Sequence, residues 1–270
     1  MGVVWIRPGR EAEAPGTAGV LMSDDNKTKQ EQQVTTAPER QPIFNLPAAV
    51  AAIAGLFLAI QALQSFVLNE SIRNEVLVWL AFIPYRLIEN AAAPGGIWPL
   101  FWTPFTHAFL HAGWEHVIFN TVWFVIFGTP IARRYGAAKL VILFLLSALA
   151  GAVAFAATTL PQFALLVGAS GGVAGLTGAA VRFIFQPIQV GIDPETGERI
   201  VLGRRLATIG EVLRHPTARI FAIVWIVLNG IVPLLPMFMP GMAVEIAWQA
   251  HIGGFLFGFF AIPLFERRQP

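Results

Sequence analysis

What most limits the folds open to this chain is a series of long apolar stretches running from Leu46 to Phe265. Six of them, at 47–68, 114–131, 139–158, 167–186, 219–238 and 244–265, approach or reach the ~20 residues that a helix needs to cross about 30 Å of hydrocarbon. Lipid offers no partner to a backbone N–H or C=O, so such segments must satisfy themselves as helices. Composition agrees: 56% of the 270 residues are hydrophobic and 13% are charged, where soluble domains average about 25% charged. The expected fold is all-α, a polytopic membrane protein with six transmembrane helices and the lipid bilayer as its solvent. There is no cysteine, which excludes disulfides, thiolate metal sites and a cysteine nucleophile. The 18 Lys and Arg against 16 Asp and Glu form no basic stripe, so no nucleic acid partner is expected.

Residues 1–46 differ from the rest. Between Ser23 and Pro42 the only aliphatic residue beyond alanine is Val34, set among Gln, Thr, Asp, Glu and Lys. Such a segment cannot bury enough surface to offset its ordering entropy and reads as a disordered cytosolic tail. No apolar stretch follows a basic start in the first thirty residues, so no signal peptide is expected. Ile6 does not fit a myristoylation motif, and Met22, just ahead of the polar run, is a candidate translation start. The expected organisation is this tail, a membrane domain at 47–266 with a long first external loop at 69–106, and a short cytosolic tail at 267–270.

Orientation follows from the basic residues. Lys27, Lys29 and Arg40 precede the first span, and Arg133, Arg134 and Lys139 lie between the second and third. Arg199, Arg204, Arg205, Arg214 and Arg219 fall between the fourth and fifth, and Arg267 and Arg268 follow the sixth. With six helices these groups share one side, which the positive-inside bias makes cytoplasmic. Only Arg73 and Arg86 fall opposite. Both termini are then cytoplasmic and loop 69–106 is external. Pro84, Pro94, Pro99 and Pro104 break that loop into pieces expected to lie in the interface.

Polar residues at membrane depth are costly and mark function. His116 and Asn120, at i and i+4, share one face of the second span. Ser170 opens the fourth span, and His251 lies near the start of the sixth. Because spans two, four and six run in one direction, a hydroxyl, two imidazoles and an amide gather in one layer. That inventory suits acyl transfer: a serine needs a base, His251 can serve as base and then acid, and the oxyanion needs preorganised donors. Asn120, His116 and the Ser170 backbone N–H are candidates for those donors. Near this layer the acidic residues are Glu115 and Glu245, both at helix mouths, so a Ser–His pair is more natural than a triad. His107, His111 and His116 do not have zinc-site spacing, and no metal or other cofactor is expected. Gly171 with Gly175, and Gly254 with Gly258, form GxxxG patterns that let helices approach closely. If spans four and six meet there, Ser170 and His251 come within reach. A solute transporter could use a similar polar layer, but spans one to three and four to six show no repeat symmetry.

The set GASG at Gly168–Gly171, AHIGGFLFG at Ala250–Gly258 and HAGWEHVIFN at His111–Asn120 resembles the rhomboid family of intramembrane serine proteases, in its bacterial six-span form. The resemblance covers residues 47–266. It implies Ser170 as nucleophile, His251 as general base and no catalytic aspartate. It further implies an oxyanion hole that includes His116 and Asn120, with Gly168, Gly171, Gly175, Gly254 and Gly258 in helix-packing roles. The implied substrates are transmembrane segments of single-pass proteins, cut near the external face of a bacterial plasma membrane at a small P1 residue. Three positions depart from the family pattern. A Trp–Arg pair common in the first loop reads Trp102-Thr103 here, a glutamate after span two is Ala132, and a tyrosine four residues beyond the nucleophile is Ala174.

Overall fold

The first helix shows how little the sequence needs to specify in lipid. In α1 (Ala48–Phe66) a proline-free, charge-free run follows Pro47, whose φ of −56° already suits a helix start. This computed structural model describes residues 46–89, 91, 94–194, 196–231 and 247–266; the expectations for 1–45 and 267–270 lie outside them. Asn69 caps α2 (Glu70–Leu80), its side chain accepting the Ile72 N–H at 2.9 Å. Helix α3 (Trp114–Tyr135) ends on Arg133 and Arg134, cations that complement the carbonyl end of a helix dipole. Gly136, at φ +86°, turns the chain directly into α4 (Ala137–Thr159). Then come α5 (Ser170–Val181), strands β1 (Ile188–Ile192) and β2 (Arg199–Arg204), α6 (Ile209–Arg214), α7 (Pro216–Ile226) and α8 (Trp248–Ala261).

Among the described residues four helical stretches are long and apolar enough to cross a membrane: Ala48–Phe66, Trp114–Tyr135, Ala137–Thr159 and Trp248–Phe265. The other two expected spans are shorter helices. The fourth, expected over 167–186, is helical only from Ser170 to Val181. Its flanks are extended or turn, and their polar groups are taken up by other parts of the protein, the condition under which non-helical backbone survives at membrane depth. At its end Arg182 is buried, its Nε donating to the Ala207 carbonyl and its Nη1 to the Phe259 carbonyl, each at 2.8 Å. The fifth, expected over 219–238, starts earlier at Pro216 and passes into a π-helical turn at Val227–Ile231, beyond which the expected span leaves the described residues. The sixth, expected from 244, is helical from Trp248.

The helical bundle carries one short hairpin besides its helices. Strands β1 and β2 pair antiparallel with a bulge at Gln189/Val190. Their valines and isoleucines favour a pleated surface, and Gly197 at φ +70° helps turn the connection. Arg204 ties this hairpin back, donating to the Gln186 carbonyl while its own carbonyl accepts from Arg134.

Two contacts position the rest. Phe57 of α1, Phe124 of α3 and Phe144 of α4 meet edge-on or tilted at 5.4–6.0 Å between centroids, with Phe109 of the first loop against them. Helices α5 and α8 approach backbone to backbone: a Cβ on Gly254 would fall on the Gly171 carbonyl oxygen, and one on Gly258 on that of Gly175. Only hydrogen fits at either place.

Candidate active site

Ser170 is the first residue of α5, and the chain reaches it along a segment whose donors are taken by the first loop. Leu166 and Phe82 exchange backbone hydrogen bonds of 2.9 and 3.1 Å. The Gly168 N–H donates to the His107 carbonyl at 2.9 Å, and the Ala169 N–H to His111 Nε2 at 3.4 Å. Standing first in the helix, the Ser170 N–H has no carbonyl of its own helix to bond and lies at the positive end of the helix dipole. Gly168 has φ +122°, a region that L side chains rarely adopt. A Cβ there would also come within 2.7–2.8 Å of the His116 ring, with Ser170 Oγ 3.7 Å away. The His116 ring thus packs closely over Gly168, with the Ser170 hydroxyl beside it.

His116 and Asn120 project from the first two turns of α3. The Ala112 N–H donates to His116 Nδ1 at 3.4 Å, which leaves the ring proton on Nε2. Asn120 Nδ2 donates one hydrogen to the His116 carbonyl at 3.0 Å and keeps a second N–H. His251 sits in the first turn of α8; its Nδ1 is buried and makes no hydrogen bond among the described residues. Ser170, His251, His116 and Asn120 all line a single cavity of about 1170 Å³. Its wall also includes Trp225 and Asn229, contributed by α7 and the π-helical turn. Ala174 borders it as well, and Trp225 stacks on Phe255 at 4.5 Å.

The glycines expected in packing roles fall beside this arrangement. Gly171 and Gly175 face Gly254 and Gly258 across the α5–α8 contact, which brings the first turns of the two helices together.

His107 and His111 brace the segment ahead of the serine. His107 Nδ1–H donates to the Thr103 carbonyl at 2.9 Å, and burial pushes its pKa down to about 4. Burial, aided by His116, pushes His111 down to about 3. Both rings are neutral at ordinary pH, as His111 must be to accept at Nε2. Among the described residues no three His, Asp or Glu side chains are placed to hold a metal ion.

The first loop and the far end of α3, where two of the departures fall, each hold a charged contact. Arg86, 1% exposed, donates to the carbonyls of Val78, Pro94 and Gly96 at 2.7–2.8 Å and supplies the first loop with a buried guanidinium. Trp102 Nε1 donates to the Trp79 carbonyl at 2.7 Å. At the far end of α3, Glu266 Oε1 accepts from Arg134 Nη2 and from the Tyr135 hydroxyl, each at 2.7 Å. Sequence reasoning missed Arg86, which reads only as a charge on the less basic side. Its one signal was its setting, a cation in a Pro/Gly-rich apolar loop.

Residues 99–268 match the family model of the Rhomboid domain, more than half of the chain and all of the segment that carries Ser170, His251, His116 and Asn120. The helical membrane bundle, the cavity and this match agree, and the chain belongs to the rhomboid family of intramembrane serine proteases.

Proposed function

We propose that the protein hydrolyses peptide bonds in transmembrane segments of single-pass membrane proteins with a Ser170–His251 dyad. The observation that carries this reading is the convergence of Ser170, His251, His116 and Asn120 on one cavity from helices far apart in sequence. The Ser170 hydroxyl attacks the scissile carbonyl carbon as the His251 imidazole takes its proton, and the C=O electron pair moves onto oxygen. His116 Nε2–H, the second Asn120 N–H and the Ser170 N–H donate to that oxyanion. On collapse the C–N bond breaks and the imidazolium protonates the leaving amine. Water then repeats the sequence on the acyl-serine, returning the hydroxyl.

The positive-inside distribution supports cytoplasmic termini, with the Ser170 end of α5 toward the external face. Cleavage then falls near that face, and the family pattern implies a small P1 side chain. The organisation into a polar tail at 1–46, a membrane domain at 47–266 and a short tail at 267–270 belongs to the same reading.

The test is cleavage of a model single-pass substrate by protein reconstituted in liposomes, with a fluorophosphonate probe run in parallel. Wild type should cleave and be labelled, Ser170→Ala should do neither, and His251→Ala should lose turnover. Asn120→Ala should retain about 0.1–10% of the rate, as expected for one lost oxyanion donor. Cleavage that persists in Ser170→Ala would overturn the assignment.

A further inference from the structure

The catalytic cavity has an electrostatic feature that the dyad does not use. Among the described residues lining it, Glu115 is the only acidic or basic side chain apart from the histidines. It is exposed and immediately precedes His116 in the first turn of α3. At 100° per residue, positions 115, 119, 120 and 123 fall on one face of that helix, and all four line the cavity. Phe119 and Trp123 on this face are 67% and 42% exposed. The face therefore presents two aromatic surfaces and, one turn above Phe119, a group that only accepts hydrogen bonds when ionised. Aromatic surface suits the apolar stem of a long basic side chain, and a carboxylate suits its head.

We infer that Glu115 is a specificity residue that favours substrates with a lysine or arginine close to the scissile bond on its external side. The inference rests on the proposed assignment of Ser170 and its neighbours. Glu115 stands five residues before Asn120, about 7.5 Å along the α3 axis. An extended peptide covers that distance in about two residues, and a basic side chain adds its own reach, so the favoured positions lie within about four residues of the cleaved bond. An acid in the first turn also complements the dipole of its own helix. That role alone would alter stability and leave the choice among substrates unchanged.

The experiment compares single-pass substrates carrying Lys, Gln or Glu at each of the four residues on the external side of the bond. Initial rates are measured with the full-length protein in liposomes, and each variant's rate on the Gln substrate is its own reference, so losses from folding cancel. For the most sensitive position, wild type should show a kcat/KM about two- to fivefold higher for Lys than for Gln, and lower for Glu, the range expected of an exposed ion pair. The preference should shrink as salt rises. It should vanish in Glu115→Gln, invert in Glu115→Lys and persist in Glu115→Asp. An equal Lys/Gln ratio in wild type and Glu115→Gln at all four positions would overturn the inference. Loss of all cleavage in Ser170→Ala alongside such a flat series would leave the dyad standing and remove only Glu115.

Discussion

Between α5 and α8 the backbones are held together by missing side chains, with Gly171 and Gly175 on one helix against Gly254 and Gly258 on the other. In the first loop the backbone is gathered by one large side chain, Arg86, whose guanidinium reaches the Val78 carbonyl of α2 and the Pro94 and Gly96 carbonyls of the following turn. The two regions meet at the serine: the glycine contact brings in the start of α8, and the loop supplies the partners of Gly168 and Ala169. Helices already satisfy their own polar groups, so they can associate through surface alone. A non-helical loop has free carbonyls, and burying them requires a donor.

The comparison breaks most severely at the glycines. Gly254→Val or Gly258→Val places carbon on a backbone oxygen that cannot turn aside, so the helices must separate. The expected destabilisation is more than about 3 kcal/mol, with loss of cleavage, measured by thermal unfolding in detergent and by turnover. A Cβ added at Gly55 of α1 would meet nothing within 4 Å, and Gly55→Ala should be neutral or slightly stabilising.

In the loop, Arg86→Met removes charge-assisted bonds and strands the carbonyls they served, at about 3 kcal/mol. The effect should be local. Amide exchange should rise across the first loop and kcat should fall, while the α5–α8 helices keep their protection. Equal loss of protection in both regions would show that they are one cooperative unit.

A milder test uses pH. The folded-state pKa of His107, about 4, lies below its ordinary 6.5 because burial disfavours the cation. Between those values the unfolded loop binds a proton that the folded loop does not. This contribution is therefore complete above pH 6.5 and is lost as pH falls toward 4. It amounts to at most a little over about 3 kcal/mol. Loop stability followed by amide exchange should decline over that window in wild type, and His107→Phe should lessen the decline, the remainder belonging to His111.

Much of this architecture is legible in the sequence because its signals are local. Apolar length marks α1, α3, α4 and α8, and the GxxxG spacing on α5 and α8 marks the faces that meet. Hydropathy makes the fourth span too long because it is the same for a buried extended segment and a helix. Only partners distant in sequence, Phe82, His107 and His111, allow residues 166–169 to stay outside the helix. The hairpin escapes notice because its strands are short and are anchored by Arg204 to Gln186 rather than by a pattern of their own. At the site, residue type and spacing single out Ser170, His251, His116 and Asn120. The tautomer of His116 and the bracing by His107 and His111 depend on which atoms face which.

The sequence by itself determined a helical membrane protein, the small-residue faces of α5 and α8 and the residue types available for acyl transfer, because hydropathy and glycine spacing act within one helix at a time. Tertiary structure alone decided where α5 begins, which cation organises the first loop, and that Glu115 and Ser170 line one cavity. Those features depend on hydrogen-bond partners and shared walls contributed by segments far apart in the chain, and such proximity exists only after packing.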